Sequence, residues 1–140
     1  MASALANNTA RAGQRVRDFT DLEVWKAARA LRASVYAVCR RFPKQETFEL
    51  CSQMRRAAVS ITANLAEGYG RFSYQENIQF CRQSRGSLYE LRDHLTTALD
   101  AGYITPREYR EHDLQAVAVL RLLNGYIRAT RQRKLQAEQT

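Results

Sequence analysis

Residues 53–68, QMRRAAVSITANLAEG, carry two helical stripes instead of one. Met54, Ala57, Ala58, Ile61 and Leu65 recur at three- and four-residue steps, the apolar seam of an amphipathic helix. Gln53, Arg56, Ser60, Asn64 and Glu67 keep the same steps and are polar throughout. Such short hydrogen-bonding residues in register suit contact with protein better than contact with water. The expectation is one satisfied network between packed helices, with Arg56 paired to Glu90 further along the chain. The competing reading of Arg56 is a contact with RNA. Arg55 lies about 100° round the helix from Arg56, off both stripes, and points toward a partner or an oligomer interface.

Working outward, the pattern predicts three more helices. Upstream, Thr20 and Glu23 have capping-box spacing. The seam that follows is Val24, Ala28, Leu31, Val35, Val38 and Phe42, ended by Pro43. The 53–68 helix is expected to begin between Lys44 and Thr47 and to stop at Gly68-Tyr69-Gly70, where glycine can take a left-handed cap. Ser73 and Glu76 open a third helix with the seam Ile78, Cys81, Leu88, Leu91, Leu95 and Leu99, interrupted by Arg85. Gly86 lies within it at a cost of about 1 kcal/mol, which close approach of another helix would explain. Thr105-Pro106-Arg107-Glu108 opens the fourth, with Leu114, Val117, Leu120, Leu123 and Ile127 along its seam; fraying is expected in the Arg/Gln-rich tail. No stretch alternates with period two. Short connections favour antiparallel neighbours, so the expected fold is all-α: an antiparallel up-down-up-down four-helix bundle.

One hundred and forty residues, 45% hydrophobic and 26% charged, suffice for one domain. The expected division is a basic flexible arm at 1–17, the bundle at 18–127 and a basic tail at 128–140. The arm is alanine- and arginine-rich and acid-free, which also suits an organellar transit peptide; a disordered arm is the simpler reading. Net charge is +8, of which each terminal segment holds +3 and the body only +2. Basic tails hold polyanions through phosphate contacts, and they also keep small proteins soluble. Arg40, Arg41, Arg55, Arg71, Arg128, Arg131, Arg133 and Lys134 are the residues expected to contact nucleic acid. Phe42, Phe48 and Phe80 are assigned to the core. Tyr69, Phe72 and Tyr74 surround Arg71, either stacking on unpaired bases or plugging the end of the bundle.

Cys39, Cys51 and Cys81 are odd in number, without a C-x-x-C pair, and only His94 and His112 accompany them. They read as small core residues or free thiols of a reducing, cytoplasmic compartment. No metal site, cofactor or catalytic constellation is expected, and no run of 18 apolar residues suggests a membrane span. The acidic residues Glu108, Glu111 and Asp113 read as a solvated outer face.

Phe19-x-x-Leu22-x-Val24-Trp25, Phe42-Pro43, Phe48-Glu49-Leu50, the 53–68 block and Gly86-Ser87-Leu88-Tyr89-Glu90-Leu91 occur in an order that resembles a known family. It is the bacterial four-helix-bundle proteins encoded within intervening sequences of large-subunit ribosomal RNA. That family is similar in fold to the accessory variability determinant of diversity-generating retroelements. The resemblance covers roughly 18–127 and is most specific at Arg55–Ile61 and Asn64–Gly68. It implies a homo-oligomeric ring, a pentamer, that binds RNA or DNA through basic surface and has no enzymatic activity. For the retroelement relatives it also implies a reverse transcriptase partner. Composition alone leaves open a different class, a protein-interaction scaffold without nucleic-acid binding.

Overall fold

A computed structural model describes residues 15–140; Arg11 and most of the expected arm lie outside them. Four helices make the body: α1 (Glu23–Cys39), α2 (Leu50–Tyr69), α3 (Tyr74–Asp100) and α4 (Pro106–Glu138). There is no strand among the described residues. Contacts run round the ring α1–α2–α3–α4–α1, and α2 packs most extensively on α3. The side-chain pairs joining α3 to α4 show the direction. As the α3 partner descends from Arg92 to Arg85, Asn77 and Gln75, the α4 partner climbs from Asp113 to Asn124, Tyr126 and Lys134. This is the expected antiparallel bundle.

The apolar stripes of α1 and α2 fall where their spacing places them. Val24, Ala28, Leu31, Val35, Val38 and Phe42 are buried, as are Met54, Ala57, Ala58, Ile61 and Leu65. The other two seams need correction. On α3 the buried row is Asn77, Cys81, Ser84, Leu88, Leu91, Leu95 and Ala98, an unbroken alternation of four- and three-residue steps, with Ile78 of the expected seam buried beside it. Ser84 fills the position that Arg85 was expected to interrupt, and its hydroxyl donates to the Ile61 carbonyl at 2.9 Å. On α4 the row is Ala116, Val119, Leu123, Tyr126, Ile127 and Thr130, while Leu114 is 69% exposed. Phe48 is 90% exposed and Phe80 only half-buried, so of the three phenylalanines assigned to the core only Phe42 is fully in it. Cys39, Cys51 and Cys81 are buried and free. Burial pushes the Cys81 thiol up to about 12, which keeps it protonated.

Helix ends also differ in detail. The first capping box joins Asp18 and Asp21 around a 3-10 turn at Phe19–Asp21; Leu22, at the start of α1, has no side-chain cap. Val16, within the expected arm, is buried against the bundle. A second 3-10 turn at Lys44–Glu46 delays α2 to Leu50, whose amide donates to the Glu46 carboxylate at 3.1 Å. A carboxylate there also complements the helix dipole. The same group accepts from the Tyr103 hydroxyl at 2.9 Å. At the start of α3, Ser73 caps the Glu76 amide, but the reciprocal Glu76 bond to the Ser73 amide is absent; the Thr105–Glu108 box on α4 is complete. Helical structure on α4 continues to Glu138, through the segment where fraying was expected.

The glycines exchange roles. Gly70 ends α2 in ordinary right-handed geometry, and the left-handed cap belongs to Gly102 (φ 77°) after α3. There Gly102 donates to Leu99 and Tyr103 to Ala98, a Schellman closure. Nothing approaches Gly86 within 4 Å of a built Cβ. The close approach is at Gly68, where a Cβ would lie 2.7 Å from Asn77 Oδ1 and 2.8 Å from Phe80 Cβ. Gly68→Ala should therefore cost about 1–3 kcal/mol through overpacking. Gly86→Ala should gain up to about 1 kcal/mol from helix propensity. Paired urea melts read both, and equal effects would refute the assignment.

His112 on α4 supplies a pH dependence. Burial, against the pull of Glu108, holds its imidazole below the usual 6.5. The unfolded chain therefore takes up the proton first, so stability present above pH about 6.5 is lost as pH falls through the folded value. Denaturant midpoints between about pH 7.5 and 5 should decline, and His112→Asn should flatten that part of the slope.

Candidate nucleic-acid interface

Acids are missing from two long stretches of this chain: none occurs in 24–45 and none in 50–66. Those stretches form nearly all of α1 and α2, which are neighbours in the bundle. The near-neutral body is thus polarised. The acids of the helical body gather mainly on α3 (Glu76, Glu90, Asp93, Asp100) and α4 (Glu108, Glu111, Asp113, Glu138).

On α1, Arg29, Arg32, Tyr36 and Arg40 follow three- and four-residue steps along the side away from the core seam. On α2, Ser52, Arg55, Arg56 and Val59 form the facing row. Arg29, Arg32, Ala33, Tyr36 and Val59 line a depression of ≈ 380 Å³. Tyr36 and Val59 also line a second of ≈ 400 Å³ with Ser52, Arg55, Arg56 and Ser60. Tyr36 is 38% exposed and Val59 40%, so the middle of this surface is apolar. No acid lines either depression.

Three of the four arginines are held by neutral groups. Arg32 donates to the Thr62 hydroxyl at 2.9 Å, and Arg55 to the Thr47 carbonyl at 3.0 Å. Arg29 lies 5.6 Å from the centre of the Trp25 ring. Arg56 is exposed. None of the four is ion-paired among the described residues. Neutral partners orient a guanidinium without cancelling its charge, leaving it to attract an anion.

The polar row of α2 is joined only in its middle. Ser60 and Ser87 share a hydrogen bond of 2.8 Å across the α2–α3 contact, and the Asn64 amide donates back to the Ser60 hydroxyl at 3.0 Å. Gln53 and Arg56 stand at the edge, exposed, lining a third groove of ≈ 410 Å³ with Ala57, Ser60, Ser87 and Glu90. The expected Arg56–Glu90 pair does not form: Glu90 faces His94, one turn on, at 3.2 Å. Glu67 pairs with Arg71 instead of its own row. The row slants across the helix surface, so only its centre meets α3.

The basic residues expected to bind nucleic acid do not form one site. Arg40, Arg41 and Arg55 lie at the end where α1 meets α2. Arg71 follows α2 at the other end, and 16 residues of helix separate Arg55 from Arg71 by about 24 Å. Arg41 is paired with Glu108. Arg71 is bound to Glu67 at 2.9 Å and lies over Phe80. Lys134 donates to Gln75 at 2.9 Å, across to α3. Arg128 and Arg131 are exposed on α4, and Arg133 is half-buried there. Around Arg71, Tyr69 is buried, Tyr74 half-buried and Phe72 83% exposed. Arg29, Arg32 and Tyr36 join the site through packing; in the sequence their one signal is a three- and four-residue spacing within an acid-free stretch.

Among the described residues no group of acids, histidines and cysteines could hold a metal, and no helix is long and apolar enough to cross a membrane. A search of curated proteins finds no match. A family model described as 23S rRNA-intervening sequence protein matches residues 20–125, which covers all of α1, α2 and α3 and much of α4. With that match and its four-helix architecture, the chain belongs to the 23S rRNA-intervening sequence protein family.

Proposed function

We propose that this protein is a non-enzymatic, cytoplasmic, homo-oligomeric bundle that binds nucleic acid through the arginine face of α1 and α2. One observation carries the reading: Arg29, Arg32, Arg55 and Arg56 surround two adjoining depressions that contain no acid. Phosphate oxygens are the anions that guanidinium groups bind most readily in bidentate fashion. Such contacts position a nucleic acid without reading its sequence. Arg128, Arg131, Arg133 and Lys134 on α4, with Arg40, Arg41 and Arg71 at the bundle ends, extend basic surface away from this face. Membership of a family described as 23S rRNA-intervening sequence protein supports transcripts that carry ribosomal intervening sequences as the RNA partner. Assistance to a reverse transcriptase of a diversity-generating retroelement is the more remote form of the same role.

Self-association is supported by apolar side chains that one copy leaves uncovered. Leu114 is 69% and Leu122 42% exposed on α4, and Phe48 is 90% exposed before α2. A ring of five copies is the assembly proposed, and the mass of the protein in solution tests it. The same side chains favour the alternative, a scaffold that binds protein alone.

Titration of labelled RNA separates the two. With four phosphates neutralised, affinity should fall roughly a hundredfold between about 50 and 300 mM salt, following a slope of ~0.7 per phosphate for single strands. Arg29→Ala and Arg56→Ala should each reduce the slope by about 0.7. Arg56→Ala should melt within about 0.5 kcal/mol of the parent, since Arg56 has no ion pair among the described residues, whereas Arg29→Ala also gives up its contact with the buried Trp25 ring, about 0.5–1 kcal/mol. Absence of binding at the lower salt would overturn the reading; a protein partner retained after nuclease treatment would then establish the scaffold.

A further inference from the structure

We propose that the α1/α2 face takes unpaired nucleotides, with a base lying on the Tyr36 ring and phosphates held by the arginines on either side. The inference rests on the nucleic-acid reading above and narrows its substrate to single strands.

The middle of the face and its margin differ in chemistry. Tyr36 and Val59 are shared by both depressions, so they form the saddle between them. Arg29 and Arg32 lie on one side along α1, and Arg55 and Arg56 on the other along α2. Among the described residues Tyr36 has neither a ring partner nor a hydrogen-bond partner within the chain, although 38% of its surface is exposed.

A duplex laid on this face would bring sugar-phosphate backbone against the saddle. Its bases would remain in their own stack, out of reach of the ring, and the apolar centre would be desolvated against charge. An unpaired strand can turn a base inward while its backbone follows the arginines. Stacking on an aromatic ring with basic residues alongside is the way single strands are held without sequence preference. Arg32 is four residues from Tyr36, about 6 Å along α1, so a phosphate near Arg32 leaves the attached base within reach of the ring. Phe72 is more exposed, but its neighbour Arg71 is spent on Glu67 and Phe80. It has no comparable charged margin.

The test uses the full chain and one oligonucleotide sequence in four forms: single-stranded RNA, single-stranded DNA and the two corresponding duplexes. Both single strands should bind at least about tenfold tighter than their duplexes. Tyr36→Ala should weaken single-strand binding about fivefold or more and leave duplex binding and the salt slope unchanged, with the melting curve showing the variant folded at the assay temperature. Tyr36→Phe should retain parental affinity. A preference for RNA over DNA would assign part of the recognition to the 2′-hydroxyl without altering the stacking proposal. If duplexes bind as tightly as strands, or Tyr36→Ala changes neither, the stacking proposal fails while nucleic-acid binding stands. If none of the four binds, both fall together.

Discussion

The bundle depends on one close approach between α2 and α3. At Gly68 the absence of a side chain lets Asn77 and the base of Phe80 sit where a Cβ would collide. Asn77 is fully buried, and its amide donates to the Tyr126 hydroxyl of α4 at 3.1 Å. Its carbonyl faces the Cys81 thiol at 3.7 Å. Three helices are thereby registered at one point. Burying an amide and a phenol is costly unless their hydrogen-bonding groups are satisfied. A slide of either helix would separate the pair, so the interaction opposes alternative registers that an all-apolar seam would tolerate. Burial raises the Tyr126 phenol above its ordinary value, so it stays a neutral partner.

Further along the same contact, two smaller bonds repeat the device. Ser84 donates to the Ile61 carbonyl, and Ser60 meets Ser87. Small hydroxyl residues let the backbones come near while leaving no polar atom unmet. This is why the 53–68 block carries serine and asparagine beside its apolar seam. The charged members of that row, Arg56 and Glu67, were free to take other positions because the contact does not extend to them.

Fixing α2 against α3 also decides where charge appears. On α3 and α4 two arginines meet acids, Arg92 with Asp113 and Arg107 with Glu111, and Arg85 donates to Asn124. Helices α1 and α2 have almost no acid to offer, so their arginines lean on hydroxyl, carbonyl and ring partners. A chain with a body charge of only +2 thus gathers four guanidinium groups on one face whose two depressions contain no acid. The charge of the whole chain suits solubility as readily as binding; the segregation of acids from arginines is what gives one face the character of an anion site.

The sequence by itself determined four helices, their order and the inner faces of α1 and α2, because apolar residues at steps of three and four leave a helix one way to bury them. It also carried the family resemblance, whose most specific residues lie in that block. Which polar residues were core was not legible. Asn77, Ser84 and Thr130 occupy seam positions that a purely apolar pattern omits, and Leu114 imitates a seam that lies elsewhere on α4. Nor could local spacing say which glycine met another helix, since that depends on residues from a different segment. The arginine face belongs to the same class. Arg29 and Arg56 are distant in the chain and became one surface only when α1 and α2 packed side by side, because charge accumulates through space and helical period describes one segment at a time.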